Sequence, residues 1–333
     1  MWISKKVVLL RPTCFPRFPL EQRNQGRLFI IIHTMSKAIY VKPFLSHQAQ
    51  LEQLKLRGLQ FSDEKKALHL LKYIGYYRFS GYWYPLLLNK KQSVFKPDAT
   101  FEAAFNLYKF DSELRKFIIA ALEKIEVAVR SQMTYSLSMA HGSSWIENDA
   151  LFTNSAKYHE TIEKIMNEMQ RSDEDFILAF ASKYSNPLPP SFMTLEIVSF
   201  GTLSRLYENL KSDVAKREIS QTFGLADVVL ISWLHALVYI RNVCAHHSRI
   251  WNKLLQIQPL FPHRTKYTWL TNRNATNHHM YYILSMIIYL LNTVNPKHTF
   301  KQKLENLFVK YPNVDRLAMG FPANWQIEPL WKN

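Results

Sequence analysis

The sequence predicts an all-α protein. Apolar residues recur at three- and four-residue spacings along most of the chain, no segment sustains two-residue alternation, and only 8 glycines occur in 333 residues. The expected architecture is one helical bundle with additional N-terminal and C-terminal helical segments, divided into a cap over 35–100, a core over 101–295 and a tail over 296–333.

Residues 1–34 are basic and hold three prolines, and the apolar run Leu28-Phe29-Ile30-Ile31-Ile32 precedes Met35. That run is too short to cross a bilayer and no small-residue cleavage site follows it. Translation is expected to start at Met35, leaving 1–34 as a non-native or disordered extension. From Ser46 to Leu59, the residues Leu51, Leu54 and Leu56 with Gly58 beyond them predict a short amphipathic helix capped by glycine. Ser62-Asp63-Glu64 starts a second helix through Leu68, Leu70 and Leu71. The aromatic block Tyr76-Tyr77-Arg78-Phe79-Ser80-Gly81-Tyr82-Trp83-Tyr84 follows, and its rings either pack a core or stack on bases.

A long helical pattern covers Phe101 to Met139, with an expected break at Phe110-Asp111-Ser112, where Ser112 caps a new helix. Within it Glu126 and Arg130 share a face four residues apart. As a surface pair they contribute only about 0.3–0.5 kcal/mol, but their apolar neighbours predict partial burial. A helix-prone segment runs from Ser155 to Ser182, and Asn186-Pro187-Leu188-Pro189-Pro190 is a stiff connector. Glu196 is then the sole charge in the apolar run Phe192–Ser204, so its carboxylate needs a partner or a shifted pKa. Asp227 to about Leu255 is again helical. Met280–Leu291 is too short for a membrane span and is expected as a buried helix. Lys297, His298 and Lys301 read as a solvated connector without a site role.

Lys plus Arg number 42 against 26 for Asp plus Glu, a formal charge of +16. Such a surface attracts polyanions, and RNA is the expected partner. Cys14 and Cys244, the only cysteines, exclude a disulfide framework and point to a reducing, cytoplasmic setting.

The chemistry concentrates in Arg241-Asn242-Val243-Cys244-Ala245-His246-His247. Arginine is a permanent cation for phosphate, and histidine exchanges protons near neutral pH. Residues five apart differ by about 140° on an ideal helix, so Arg241 and His246 converge only if the helix bends or ends nearby. If they do, His246 takes the 2′-hydroxyl proton of RNA while Arg241 steadies the pentavalent phosphate, and a cyclic phosphate results. Neither a cofactor nor a metal is expected, because adjacent histidines such as His246-His247 and His278-His279 point to different sides of a helix. Cys244 reads as a small core side chain. Acid and base roles need two groups, supplied by His247 or by a second copy of the chain in a homodimer. Asn242 orients the imidazole or a phosphate oxygen, with a plain surface amide the equal alternative. Glu196, Glu126 and Arg130 are possible supporting residues, and Tyr76, Tyr77, Arg78 and Arg249 are candidate RNA-binding residues.

Extended to Ser248-Arg249-Ile250-Trp251-Asn252, this stretch resembles the signature of the Abi-like abortive-infection family, of the AbiD and AbiF type. Three further blocks agree with it: Tyr76–Tyr82; Pro189-Pro190 through Glu196 to Ser199-Phe200-Gly201; and Met319-Gly320-Phe321-Pro322 with Trp325. Together they span about residues 40 to 331. Phe192 departs from the pattern, standing where a tryptophan is expected after the paired prolines. The resemblance implies a branch of the HEPN superfamily, helical proteins many of which are metal-independent ribonucleases acting as dimers through an Arg-x4-6-His motif. For this chain it implies catalytic roles for Arg241 and His246, with Asn242 as the polar residue after the arginine. It also implies a toxin-like role in phage defence, with an antitoxin or small-RNA partner possible. The alternative is a non-catalytic protein that binds a structured small RNA or transcript.

Overall fold

The computed structural model describes residues 41, 43–272 and 275–332. Met35, Cys14 and the segment 1–34 lie outside the described residues. The chain divides into two compact units at Phe105/Asn106, and helices predominate among the described residues of both.

In the first unit, helix α1 (His47–Leu56) opens where Ser46 Oγ accepts the Ala49 N–H and closes at Gly58. Gly58 takes φ +91°, a left-handed conformation suited to glycine. The Gly58 N–H then reaches the Lys55 carbonyl and the Leu59 N–H the Leu54 carbonyl, which satisfies two of the helix's last carbonyls. Leu51 and Leu54 are buried as expected, but Leu56 is 89% exposed, because two residues beyond Leu54 lies the far side of the helix. Helix α2 (Glu64–Tyr73) is capped by Asp63, whose carboxylate accepts the Lys66 N–H at 2.9 Å. Helix α3 (Tyr76–Trp83) carries the aromatic block. A hairpin of β1 (Leu87–Asn89) and β2 (Val94–Phe95) follows, too short for alternation to have betrayed it.

Helix α4 (Phe101–His141) runs 41 residues without interruption. The break expected at Phe110-Asp111-Ser112 does not occur. Phe110 and Asp111 are fully buried, and the Asp111 carboxylate, which in a local reading would compete with the helix, bonds to a distant segment instead. Leu114, Ile118, Leu122, Ile125, Val129, Met133 and Leu137 form one buried stripe down this helix, spaced by threes and fours as the sequence pattern requires.

The remaining helices of the second unit are α5 (Ser155–Gln170), α6 (Asp175–Lys183), α7 (Ser191–Ile197), α8 (Phe200–Asn209), α9 (Val214–Thr222), α10 (Asp227–Ala245), α11 (Met280–Val294), α12 (Phe300–Lys310) and α13 (Pro329–Lys332). Helix α8 packs against α5 and α10, α7 against α5, and α11 against α13. From Met280 to Leu291 every side chain is buried, so this apolar segment is a core helix. Helix α10 is the one described helix long and apolar enough to cross a membrane by length and composition, and half of its apolar window is buried inside the unit. The expected helix to Leu255 ends early, at Ala245.

Candidate functional site

The apolar face of α10, formed by Leu230, Trp233, Leu234, Leu237, Ile240 and Cys244, is buried. That burial turns Arg241, Asn242 and Ala245 to solvent, and His246 follows them as the exposed C-cap residue. His246 N–H bonds the Asn242 carbonyl at 2.9 Å, His247 N–H the Cys244 carbonyl at 3.0 Å, and Ser248 N–H the Val243 carbonyl at 3.0 Å. The last two bonds repeat the pattern that closes α1, with His247 in the place of Gly58. His247 holds φ +54°, a left-handed conformation that costs a residue with a Cβ about 1–2 kcal/mol. The helix therefore ends inside the motif, as convergence of Arg241 and His246 requires.

The turn beyond the motif is fixed from α4. Asp111 accepts the Ile250 N–H at 3.1 Å and the Trp251 N–H at 2.7 Å. Arg115, one turn further along α4, bonds the Asp111 carboxylate and approaches the Ser248 carbonyl at 3.4 Å. The pair is 0% and 6% exposed at its side chains. A buried carboxylate with an arginine and two backbone donors has its charge and lone pairs satisfied. Ile250 and Trp251 are buried beside it, so the residues just after His246 and His247 are held by both packing and hydrogen bonds. Asp111 and Arg115 belong among the residues that shape the site, and the sequence reading missed them. Their signal was an aspartate four residues before an arginine among apolar neighbours, the same one that singled out Glu126 and Arg130.

Burial, reinforced by the Asp111 charge, pushes the Cys244 thiol up to about 12. The thiol stays protonated at neutral pH, which fits a core side chain and not a nucleophile.

A second charged group lies on α4. Arg130 Nη2 donates to Glu126 Oε1 at 3.0 Å and to the Val198 carbonyl at 3.0 Å, and Arg130 Nη1 stands 3.7 Å from Glu196 Oε2. Partial burial of the Glu126–Arg130 pair matches expectation. Burial raises the Glu126 carboxyl above its ordinary value, opposed by the positive fields of Arg130 and Arg241. Arg241 is thus electrostatically linked to this group. Glu196 finds its partner in Arg130, yet its side chain is 59% exposed, so the apolar run around it does not bury it. Asn242 uses its amide oxygen to accept from Arg241 Nη1 at 3.3 Å, orienting the guanidinium and not the imidazole.

The aromatic block of α3 divides. Phe79, Tyr82 and Trp83 are core, while Tyr77 is 91% exposed. Tyr76 is tied in by Arg57 Nη1, which donates to its hydroxyl at 2.9 Å, and by an edge contact with Trp83. Arg78 is exposed beside Tyr77 on this helix, and Arg249 is half-buried in the turn after His247. Phe192, in the tryptophan position, is about half exposed at the start of α7.

A profile of the Abi-like protein family matches residues 69–252, more than half of the 333 residues. The match takes in the aromatic block, the paired prolines through Gly201, and the whole arginine-histidine motif, and the Met319–Pro322 block lies beyond it. No curated protein and no solved structure gives a significant match. On the length of that match and the motifs inside it, the chain belongs to the family of Abi-like proteins.

Proposed function

We propose that this chain is an abortive-infection effector of phage defence that cleaves RNA without a metal, of the HEPN type, acting as a homodimer in the cytoplasm. One observation carries the reading: α10 ends within the motif, leaving Arg241, Asn242 and His246 exposed at a helix terminus that the buried Asp111 and Arg115 brace from α4. In this mechanism His246 withdraws the 2′-hydroxyl proton, and the 2′-oxygen attacks the neighbouring phosphorus in line. Arg241, oriented by Asn242, binds the non-bridging oxygens and stabilises the charge that builds up on them. The 5′-oxygen leaves with a proton from a second histidine, either His247 or His246 of the other copy. Glu126 and Arg130 set the field around Arg241, with Glu196 at their solvent edge.

The test is incubation of purified protein with total bacterial RNA in excess chelator, beside His246→Ala. New ends bearing 2′,3′-cyclic phosphate from the unsubstituted protein alone are expected. RNA that stays intact but co-purifies with both proteins would move the assignment to an RNA-binding protein that uses Tyr77, Arg78 and Arg249 on a small RNA or transcript.

A further inference from the structure

Away from the motif, the second unit holds a pocket of about 260 Å³ whose rim carries four lysines from three segments of the chain: Lys116 and Lys124 of α4, Lys297 before α12, and Lys303 in its first turn. No carboxylate lines it, and among the described residues none of the four forms an ion pair. All four are exposed at the surface. Four like charges around one cavity repel one another, and an anion relieves that repulsion. The floor has a different character, with Phe117, Ala121, Leu291 and Phe300 presenting apolar surface.

His298, also in the wall, is occupied at both ring nitrogens. Nδ1 accepts the Phe300 N–H at 3.2 Å, which leaves Nε2–H to donate to Asn292 Oδ1 at 2.7 Å. Burial and the Lys124 charge push its pKa down, so the imidazole stays neutral and fixes the chain entering α12 while the lysines supply the charge. Lys297 and His298, read from sequence as a solvated connector, are therefore pocket walls.

We infer that this pocket binds a nucleoside triphosphate group, its lysine rim taking the phosphates and its phenylalanine-lined floor the base. Lysines act on phosphates as compact point charges, and a polyanionic phosphate chain beside an apolar ring is the chemistry that matches a cationic rim over an aromatic floor. Two sources carry that group: a free nucleotide, or the 5′ end of an unprocessed RNA. The inference does not depend on RNA cleavage.

Isothermal titration calorimetry of the full chain tests it with four probes: ATP, inorganic tripolyphosphate, and a short 2′-O-methyl oligoribonucleotide with either a 5′-triphosphate or a 5′-hydroxyl. Binding of ATP or of the triphosphorylated oligonucleotide is expected, and whichever is tighter identifies the source. Lys124→Glu with Lys303→Glu should weaken it at least ~10-fold. Lys65→Glu with Lys91→Glu, an equal charge change elsewhere, should leave it unaltered. If charge reversal lowers the melting temperature, Lys124→Gln with Lys303→Gln takes its place. Equal losses in the two charge-changed proteins, or tripolyphosphate binding as tightly as ATP, would overturn the assignment.

Discussion

Helix α4 carries two acid-arginine pairs of the same order and spacing, Asp111–Arg115 and Glu126–Arg130, and they do different work. The first is sealed from solvent and grips the backbone of Ile250 and Trp251, 139 and 140 residues away in sequence. The second keeps 17% and 13% of its side chains exposed, shares its arginine with Val198 and Glu196, and lies in the field of Arg241. Identical spacing on one helix therefore says nothing about role. Depth and the backbone groups waiting opposite decide it. A buried pair contributes mainly by making its own removal costly, whereas a half-exposed pair remains free to tune a neighbouring charge.

Four substitutions probe this contrast. Asp111→Ala takes the buried carboxylate away from Arg115 and frees two backbone donors, so chemical denaturation should show a loss of about 3–5 kcal/mol. A loss under ~1 kcal/mol would mean the turn after His246 is held by Ile250 and Trp251 packing alone. Glu126→Ala leaves Arg130 its Val198 carbonyl and Glu196, and the same measurement should give about 1–2 kcal/mol. If its cost matches that of Asp111→Ala, the contrast between the pairs fails. His247→Gly relieves the left-handed backbone and should raise stability by about 1 kcal/mol, read as a higher melting temperature. Should RNA cleavage fall while stability rises, the strained histidine is retained for chemistry. Glu196→Gln, at the solvent edge of the second pair, should shift stability by no more than about 0.5 kcal/mol, and a larger change would show that this pair is more buried in solution.

Much of the fold was legible because it is repetitive. The stripe from Leu114 to Leu137 states its own period, Asp63 and Ser46 advertise helix starts, and the burial of Met280–Leu291 follows from its composition. What failed to show was long-range. Phe110-Asp111-Ser112 looks like a helix break when only its neighbours are weighed, since nothing nearby tells that Asp111 is bound to residues near 250. Lys297 and His298 resemble a wet connector because Lys116 and Lys124, the other side of their pocket, stand far earlier in the chain. At the motif, sequence gave the residue types and the need for a helix end, while the left-handed turn at His247 and the brace from α4 emerged only from the fold. The Glu126–Arg130 pair was found from the same pattern that Asp111–Arg115 also fits, so the pattern was readable at both places and recognised at one.

The reach of Asp111 also sets an order of events during synthesis. A ribosome adding about 5–20 residues per second needs on the order of 10–30 s after making Asp111 to supply the amides that it binds at Ile250 and Trp251. Until then Asp111 has only its helix neighbour Arg115 and lacks the amides of the turn, and the end of α10 does not yet exist. A nascent chain thus holds no braced arginine-histidine turn, and the shape on which its chemistry depends is assembled only after most of the polypeptide has been made.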